Sequence, residues 1–356
     1  MRSLPLLIFF KVVSRNNAAT KTSAFSVVSK SKEHRCLSRN NRCTLPPIGT
    51  PGPDDCLEVP LVVSPGTDGT GIRARTTSLS LSARGGDTSP STPSPPKVRV
   101  GGDIPLLREL LAETLGTFLI VHLGCGTVCS AIFTASQTGL WQIAAVWSLA
   151  VTVAIAVTGS VSGAHLNPAV TLALALLRGF RWRKALAFVG AQVAGAAAAA
   201  ACNLALYEEK IAIFEAGQGI IRGSTASVAS AKAFGEYWSV SSWKSAFFAE
   251  ALGTAVLAFV VFSVTNSKNK TTSEHPMMIP PVIGATVGAL ISVIAPLTQA
   301  GFNPARDFGP RIISALGGWG WGVAMKGWWL YVIAPLVGAP IGGFLADRIL
   351  YPKKDH

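Results

Sequence analysis

From Leu106 onward the chain carries six apolar stretches, at residues 108–132, 140–160, 185–207, 244–265, 279–299 and 327–350. Each is about as long as the roughly 20 residues needed to cross a bilayer as a helix. A segment in hydrocarbon must satisfy every backbone N–H and C=O internally. Gly/Ala-rich runs of this length therefore predict an all-α membrane protein with six transmembrane helices. Composition agrees, with 49% hydrophobic and only 14% charged residues, a balance that suits a polytopic membrane protein better than a soluble one.

Two shorter apolar stretches, 167–177 and 303–315, cannot cross. Each opens on the same tripeptide, Asn167-Pro168-Ala169 and Asn303-Pro304-Ala305. Asn carries an amide that hydrocarbon does not compensate, and Pro removes a backbone donor. A costly tripeptide repeated at membrane depth predicts two re-entrant half-helices beside a water-filled cavity, where irregular backbone is tolerated. Pro168 and Pro304 suit a first helical turn, where the missing N–H is not needed.

The surroundings repeat as well. Glu113-Thr-Leu-Gly116-Thr117 lies 54 residues (167 − 113) before Asn167, and Glu250-Ala-Leu-Gly253-Thr254 lies 53 (303 − 250) before Asn303. Each half holds three full spans, an odd number, so the second enters from the opposite face. The expectation is an inverted repeat, 106–207 and 244–350, within a channel domain of 106–350. The two half-helix N-termini then face each other near the midplane. Such N-termini carry partial positive charge and free donors. Together they oppose cations and protons, and the two Asn amides orient a passing water so that a proton wire breaks.

Loop charge sets the orientation. Arg178, Arg181, Arg183 and Lys184, then Lys268 and Lys270, then Arg348, Lys353 and Lys354 fall on one side if six spans alternate. The positive-inside rule makes that side cytosolic and places both termini there.

At this point the chain resembles the major intrinsic proteins, the aquaporins and aquaglyceroporins. The resemblance covers about residues 106–350. It rests on Ser162-Gly163-Ala164-His165-Leu166-Asn167-Pro168-Ala169-Val170-Thr171 and Gly301-Phe302-Asn303-Pro304-Ala305-Arg306-Asp307-Phe308-Gly309-Pro310. It implies a right-handed bundle of six helices with two half-helices, assembled as a homotetramer with one pore per subunit. It also makes Arg306 the filter arginine. Counting back 20 from Asn167 gives Trp147, counting back 12 from Asn303 gives Ile291, and counting back three gives Ala300. Water-specific members carry Phe and His at the first two places. Trp, Ile and Ala imply a wider, mostly apolar ring that suits small amphiphilic solutes such as glycerol. Asp307 with Arg311, Pro335-Leu336, and the long 208–243 connection are all similar to glycerol facilitators. The filter itself lacks the bacterial facilitator's second aromatic near Ala300 and looks more like that of plant nodulin-type channels. Glycerol, urea, ammonia and other small neutral solutes all remain in view.

Several residues have plainer readings. Glu113 and Glu250, carboxylates within spans, serve either as a proton relay or as acceptors that brace the re-entrant loops; the resemblance favours bracing. Asp307 is expected to pair with Arg311 at i+4 beside its half-helix. His165 is expected to offer at most a backbone carbonyl, since no nucleophile or second base accompanies it. Gly195–Ala201 reads as a helix-packing surface. Trp328, Trp329 and Tyr331 read as interface anchors. Cys125 and Cys129 share a helix face without His or carboxylates, so they read as small hydrophobes and not as a metal site.

Residues 1–100 read differently. They hold fourteen Lys and Arg against six Asp and Glu, eight of the thirteen net positive charges. Thr77–Pro96 is rich in Ser, Thr, Pro and Gly without an apolar period, a composition that does not fold alone. Leu4–Phe10 is a short signal-like core. The basic segment beyond it, with Ser23-Ala24-Phe25, resembles the bipartite signal-plus-transit sequences of algae with complex plastids. The extension is therefore expected to be a disordered or targeting tail, with 351–356 a short C-terminal tail. The plasma membrane is the expected site, and the plastid envelope is the alternative the extension raises. With most of its net positive charge in a tail and no basic–aromatic interleaving there, the chain is not expected to bind nucleic acid.

The function that follows is a passive channel for small neutral solutes and water that excludes ions and protons. Its partners are the lipid bilayer and further copies of itself. No enzymatic constellation is visible, and no cofactor or metal is expected. The alternatives are a channel mainly for water or for dissolved gases such as ammonia or carbon dioxide, or a secondary transporter with broken helices.

Overall fold

The computed structural model describes residues 104–352. The N-terminal extension expected over 1–100 and most of the C-terminal tail lie outside these residues. Among the described residues eleven α-helices follow in chain order: α1 Leu106–Thr134, α2 Leu140–Ser162, α3 Pro168–Arg178, α4 Trp182–Gly217, α5 Val228–Ala231, α6 Trp243–Val264, α7 Lys270–Glu274, α8 Ile279–Thr298, α9 Pro304–Ser314, α10 Gly320–Ala324 and α11 Trp328–Leu345. Among the described residues six helices are long and apolar enough to span a membrane, α1, α2, α4, α6, α8 and α11. The all-α, six-helix expectation with two half-helices, α3 and α9, is therefore met.

The packing repeats between the halves. α1 lies on α2 and α4, as α6 lies on α8 and α11, and α2 and α8 meet between the halves. Each half-helix packs most extensively on the last long helix of the other half, α3 on α11 and α9 on α4. Small residues let these backbones approach. A Cβ at Gly195 would collide with the Thr114 carbonyl, and one at Gly338 with the Ala251 carbonyl, so equivalent crossings in the two halves depend on the same device. Leu107, Leu115, Leu186, Phe248 and Val293 are among the large apolar side chains left exposed on the outside.

Two expectations change. α4 runs to Gly217, ten residues past the expected end at 207, so the long connection is shorter than it reads. Ile211 and Glu215 are buried in that extra length. Glu215 accepts from Ser230 Oγ at 2.6 Å and pairs with Arg222 at 2.9 Å, and these folded-back partners stabilise helix that a polar composition conceals. Tyr331 is no interface anchor: it is fully buried and donates its hydroxyl to the Thr298 carbonyl at 2.8 Å. Trp328 and Trp329 remain partly exposed.

Candidate pore and selectivity filter

Both half-helices start as their tripeptides dictate. Asn167 is extended at φ −157° and Asn303 at φ −142°, and Pro occupies the first helical position after each. The Asn167 Oδ1 accepts from the Ala169 N–H at 2.8 Å. The Asn303 Oδ1 accepts from Ala305 at 3.1 Å and from Arg306 at 3.3 Å. These are N-caps, which satisfy donors that a helix start leaves open. The amide nitrogens cross over: Asn167 Nδ2 donates to the Phe302 carbonyl at 3.0 Å, and Asn303 Nδ2 to the Leu166 carbonyl at 2.8 Å. One N–H of each amide therefore ties the two loops.

The approach to each Asn is a matched stretch of unusual backbone. Gly163, Ala164 and Leu166 before one, and Gln299, Ala300 and Phe302 before the other, all have φ between 49° and 84°. For residues other than Gly this region costs roughly 1–2 kcal/mol each. Local carboxylates hold it in place. Glu113 accepts from the His165 N–H at 2.9 Å and the Leu166 N–H at 2.7 Å. Glu250 accepts from the Gly301 N–H at 3.0 Å and the Phe302 N–H at 2.9 Å. A hydroxyl five residues before each Asn donates to the same carboxylate, Ser162 at 2.6 Å and Thr298 at 2.5 Å. On the first side Gln192 Nε2 adds a bond to Glu113 at 2.7 Å. The matched −5 spacing of Ser162 and Thr298 to their Asn is legible in the sequence, whereas no local signal marks Gln192. The carboxylates accept backbone N–H groups of the re-entrant loops, as a brace requires.

A cavity of about 120 Å³ runs past both caps, lined by Asn167, Asn303 and all four positions expected to form the filter, Trp147, Ile291, Ala300 and Arg306. Residues distant in sequence thus form one lumen. Leu257, Val261, Ile279 and Ile283 continue an apolar wall, and Thr265 is a polar group along it. His165 also lines it; its ring is wedged between Phe180 and Phe188 at centroid distances of 4.5 and 5.1 Å, and its Nδ1 lies 3.2 Å from Thr171 Oγ1.

Arg306 is held from two sides. Its guanidinium lies over the Trp147 ring, 4.3 Å from the centroid, and is ion-paired to Glu236. In the sequence Glu236 falls within the long 208–243 connection, where it reads as loop charge. Instead it is 2% exposed, inserted within the aromatic-rich run Phe234-Gly235-Glu236-Tyr237-Trp238. An acid flanked so closely by aromatics was the available sign of burial. Its backbone is anchored by α9: the Glu236 N–H donates to Asp307 Oδ1 at 2.8 Å, and Arg311 Nη2 donates to the Glu236 carbonyl. Asp307 and Arg311 are themselves paired at 2.7 Å, i to i+4, both fully buried. The neighbouring Tyr237, outside the spanning helices, donates its hydroxyl to the Val323 carbonyl at 3.1 Å. Burial pushes that phenol up to about 12, which keeps it a neutral donor. Cys125 and Cys129 are buried in α1, and no metal-ligating cluster occurs among the described residues.

Comparison with known proteins converges on one family. Residues 102–346 match the Major intrinsic protein family. The chain is 39% identical over 244 residues to the glycerol uptake facilitator protein of Pseudomonas aeruginosa, covering 67% of this chain and 86% of that protein. It is 38% identical over 262 residues to human Aquaporin-9, covering 70% and 86%. The X-ray structure of the aquaglyceroporin from Plasmodium falciparum superposes with a TM-score of 0.61 at 27% identity, covering 69% of this chain and 97% of that one.

Proposed function

Because the chain belongs to the major intrinsic protein family, we propose that it is a passive transmembrane channel for glycerol, other small neutral solutes and water. The observation that carries the reading is the single cavity shared by both Asn caps and the ring of Trp147, Ile291, Ala300 and Arg306. Ile291 and Ala300 leave one side of the ring apolar and short. An aromatic face and short aliphatic groups pack on the CH groups of a polyol, while a guanidinium donates to its hydroxyls. The relatives named as glycerol facilitators support the same solute class. In this reading Glu113 and Glu250 hold the loops and carry no protons, and the ring's lack of a second aromatic keeps it on the wider, nodulin-type pattern.

Ions and protons are excluded in this reading by two half-helix N-termini joined head to head. A cation meeting them gives up its hydration at a point of positive potential and finds no compensating acceptors. The assembly is a homotetramer, with both termini on the cytosolic side of the plasma membrane. A channel mainly for water would need a narrower ring than Ile291 and Ala300 make.

Stopped-flow swelling and shrinking of proteoliposomes with glycerol, urea and an impermeant osmolyte tests the proposal. Glycerol entry well above that of protein-free vesicles, non-saturating and with no dependence on ion gradients, is the expected result. Water flux without glycerol flux would overturn it in favour of a water channel, and gradient-coupled uptake would favour a transporter.

A further inference from the structure

Glu236 stands where a pore of neutral solutes has no evident need for a carboxylate. We propose that it is the counter-ion of the filter arginine and a specificity-determining residue, which makes the selectivity filter electrically neutral although it contains Arg306. This rests on the channel reading above and deepens it.

Three observations carry the inference. The first is the pairing: the guanidinium of Arg306 is held between the Trp147 ring and the Glu236 carboxylate, with Arg306 5% and Glu236 2% exposed. Two opposite charges in contact and away from water cancel most of each other's field at the distance of a passing solute. The second is the anchoring: Asp307 holds the Glu236 N–H and Arg311 holds its carbonyl. Gly235 lets the loop pass close to Arg311, since a Cβ there would press on the Arg311 side chain at 2.8 Å. The fully buried Asp307–Arg311 pair thus positions the residue that neutralises Arg306. The group contains two acids and two bases, so its sum is zero. The third is that Glu236 Oε2 is buried without a hydrogen-bond partner. A buried carboxylate with one oxygen unpaired depends on its ion pair, and loss of the arginine leaves an uncompensated negative charge beside the filter.

The consequence is a division of labour. Arg306 supplies donors and shape at the ring, while ion rejection falls on the half-helix junction. A filter of balanced charge then leaks ions of a particular sign when one partner is lost, and neither sign when both are.

The test uses the full chain in proteoliposomes, with R306Q, E236Q and the double variant at matched protein density, measuring proton leak with an internal dye, nitrate leak by anion-driven swelling, and glycerol flux. R306Q is expected to raise proton leak, E236Q to raise nitrate leak, each by about tenfold as close charge pairs couple, and R306Q/E236Q to return both leaks toward the unmodified value. E236D, which keeps the charge and shortens the arm, is expected to leave both leaks low. A double variant that leaks protons as fast as R306Q, or an R306Q that leaks no more than the unmodified protein, overturns the counter-ion assignment. Should E236Q fail to fold, E236T takes its place in the single and double variants, and the same return of both leaks in the double variant decides the assignment. Glycerol flux through the unmodified protein in the same vesicles tests the channel reading separately.

Discussion

Asn167 and Asn303 each cap their own half-helix with the amide oxygen and bind the other's loop with the amide nitrogen, at 3.0 Å to the Phe302 carbonyl and 2.8 Å to the Leu166 carbonyl. The reciprocal bonds make the junction one unit, so damage to one side is felt by both. Asn303→Ala removes a cap, worth roughly 1–2 kcal/mol, and a buried bond that leaves the Leu166 carbonyl unpaired, worth about 1–3 kcal/mol more. The expected outcome is a lower melting temperature in detergent with reduced glycerol flux. An unchanged melting temperature would show that the cross-bond carries no stability.

Glu250→Gln tests the brace. The carboxylate accepts from Thr298, Gly301 and Phe302 while fully buried. An amide in its place turns donors toward donors, leaving at least one N–H unpaired at a cost of about 1–3 kcal/mol. Ala300 and Phe302, at φ 59° and 54°, then lose the partner that holds them. We expect destabilisation and loss of flux together. A variant of normal stability whose uptake had become independent of a proton gradient would instead identify Glu250 as a relay.

Added bulk in the ring should discriminate by solute size. Ala300→Phe with Ile291→His adds bulk where the ring is small and apolar, and glycerol flux should fall much further than water flux in the same vesicles. Equal losses of both would place the limiting constriction elsewhere along the cavity.

Helix contact predicts a different failure. Gly338 faces the Ala251 carbonyl with no space for a Cβ, so Gly338→Val must separate α6 from α11. Overpacking of this kind costs typically about 1–3 kcal/mol, and more where backbone is the obstacle. The yield of folded protein on size-exclusion chromatography should drop. Gly190→Val, at a position with open space around it, is the control and should express normally.

Deletion of residues 2–98 should leave reconstituted glycerol flux intact, because every residue of the cavity lies at or beyond Ile120. In cells, a fluorescent fusion of the deleted form should change location if the extension is an address. Lost flux at normal protein density would assign it a part in the pore or its gating.

The chain alone determined that this is an all-helical membrane protein with two half-helices, because hydrocarbon leaves the backbone few solutions and apolar runs of set length are visible without a fold. It also determined where the half-helices start, since Asn followed by Pro is a local capping signal, and it pointed to Glu113 and Glu250, since carboxylates in apolar spans stand out. Glu236 and Tyr331 show what it could not decide. One reads as loop charge and the other as an interface anchor, yet both are buried, because Glu236 finds Arg306, Asp307 and Arg311 and Tyr331 finds Thr298, all tens of residues away in the chain. The extra turns of α4 were hidden for the same reason: Glu215 reads as polar loop until Arg222 and Ser230 fold back onto it. Local signals act over a few residues and survive in sequence. Charge pairing across the bundle exists only once helices distant in the chain have packed, and so the tertiary structure alone decided what surrounds Arg306.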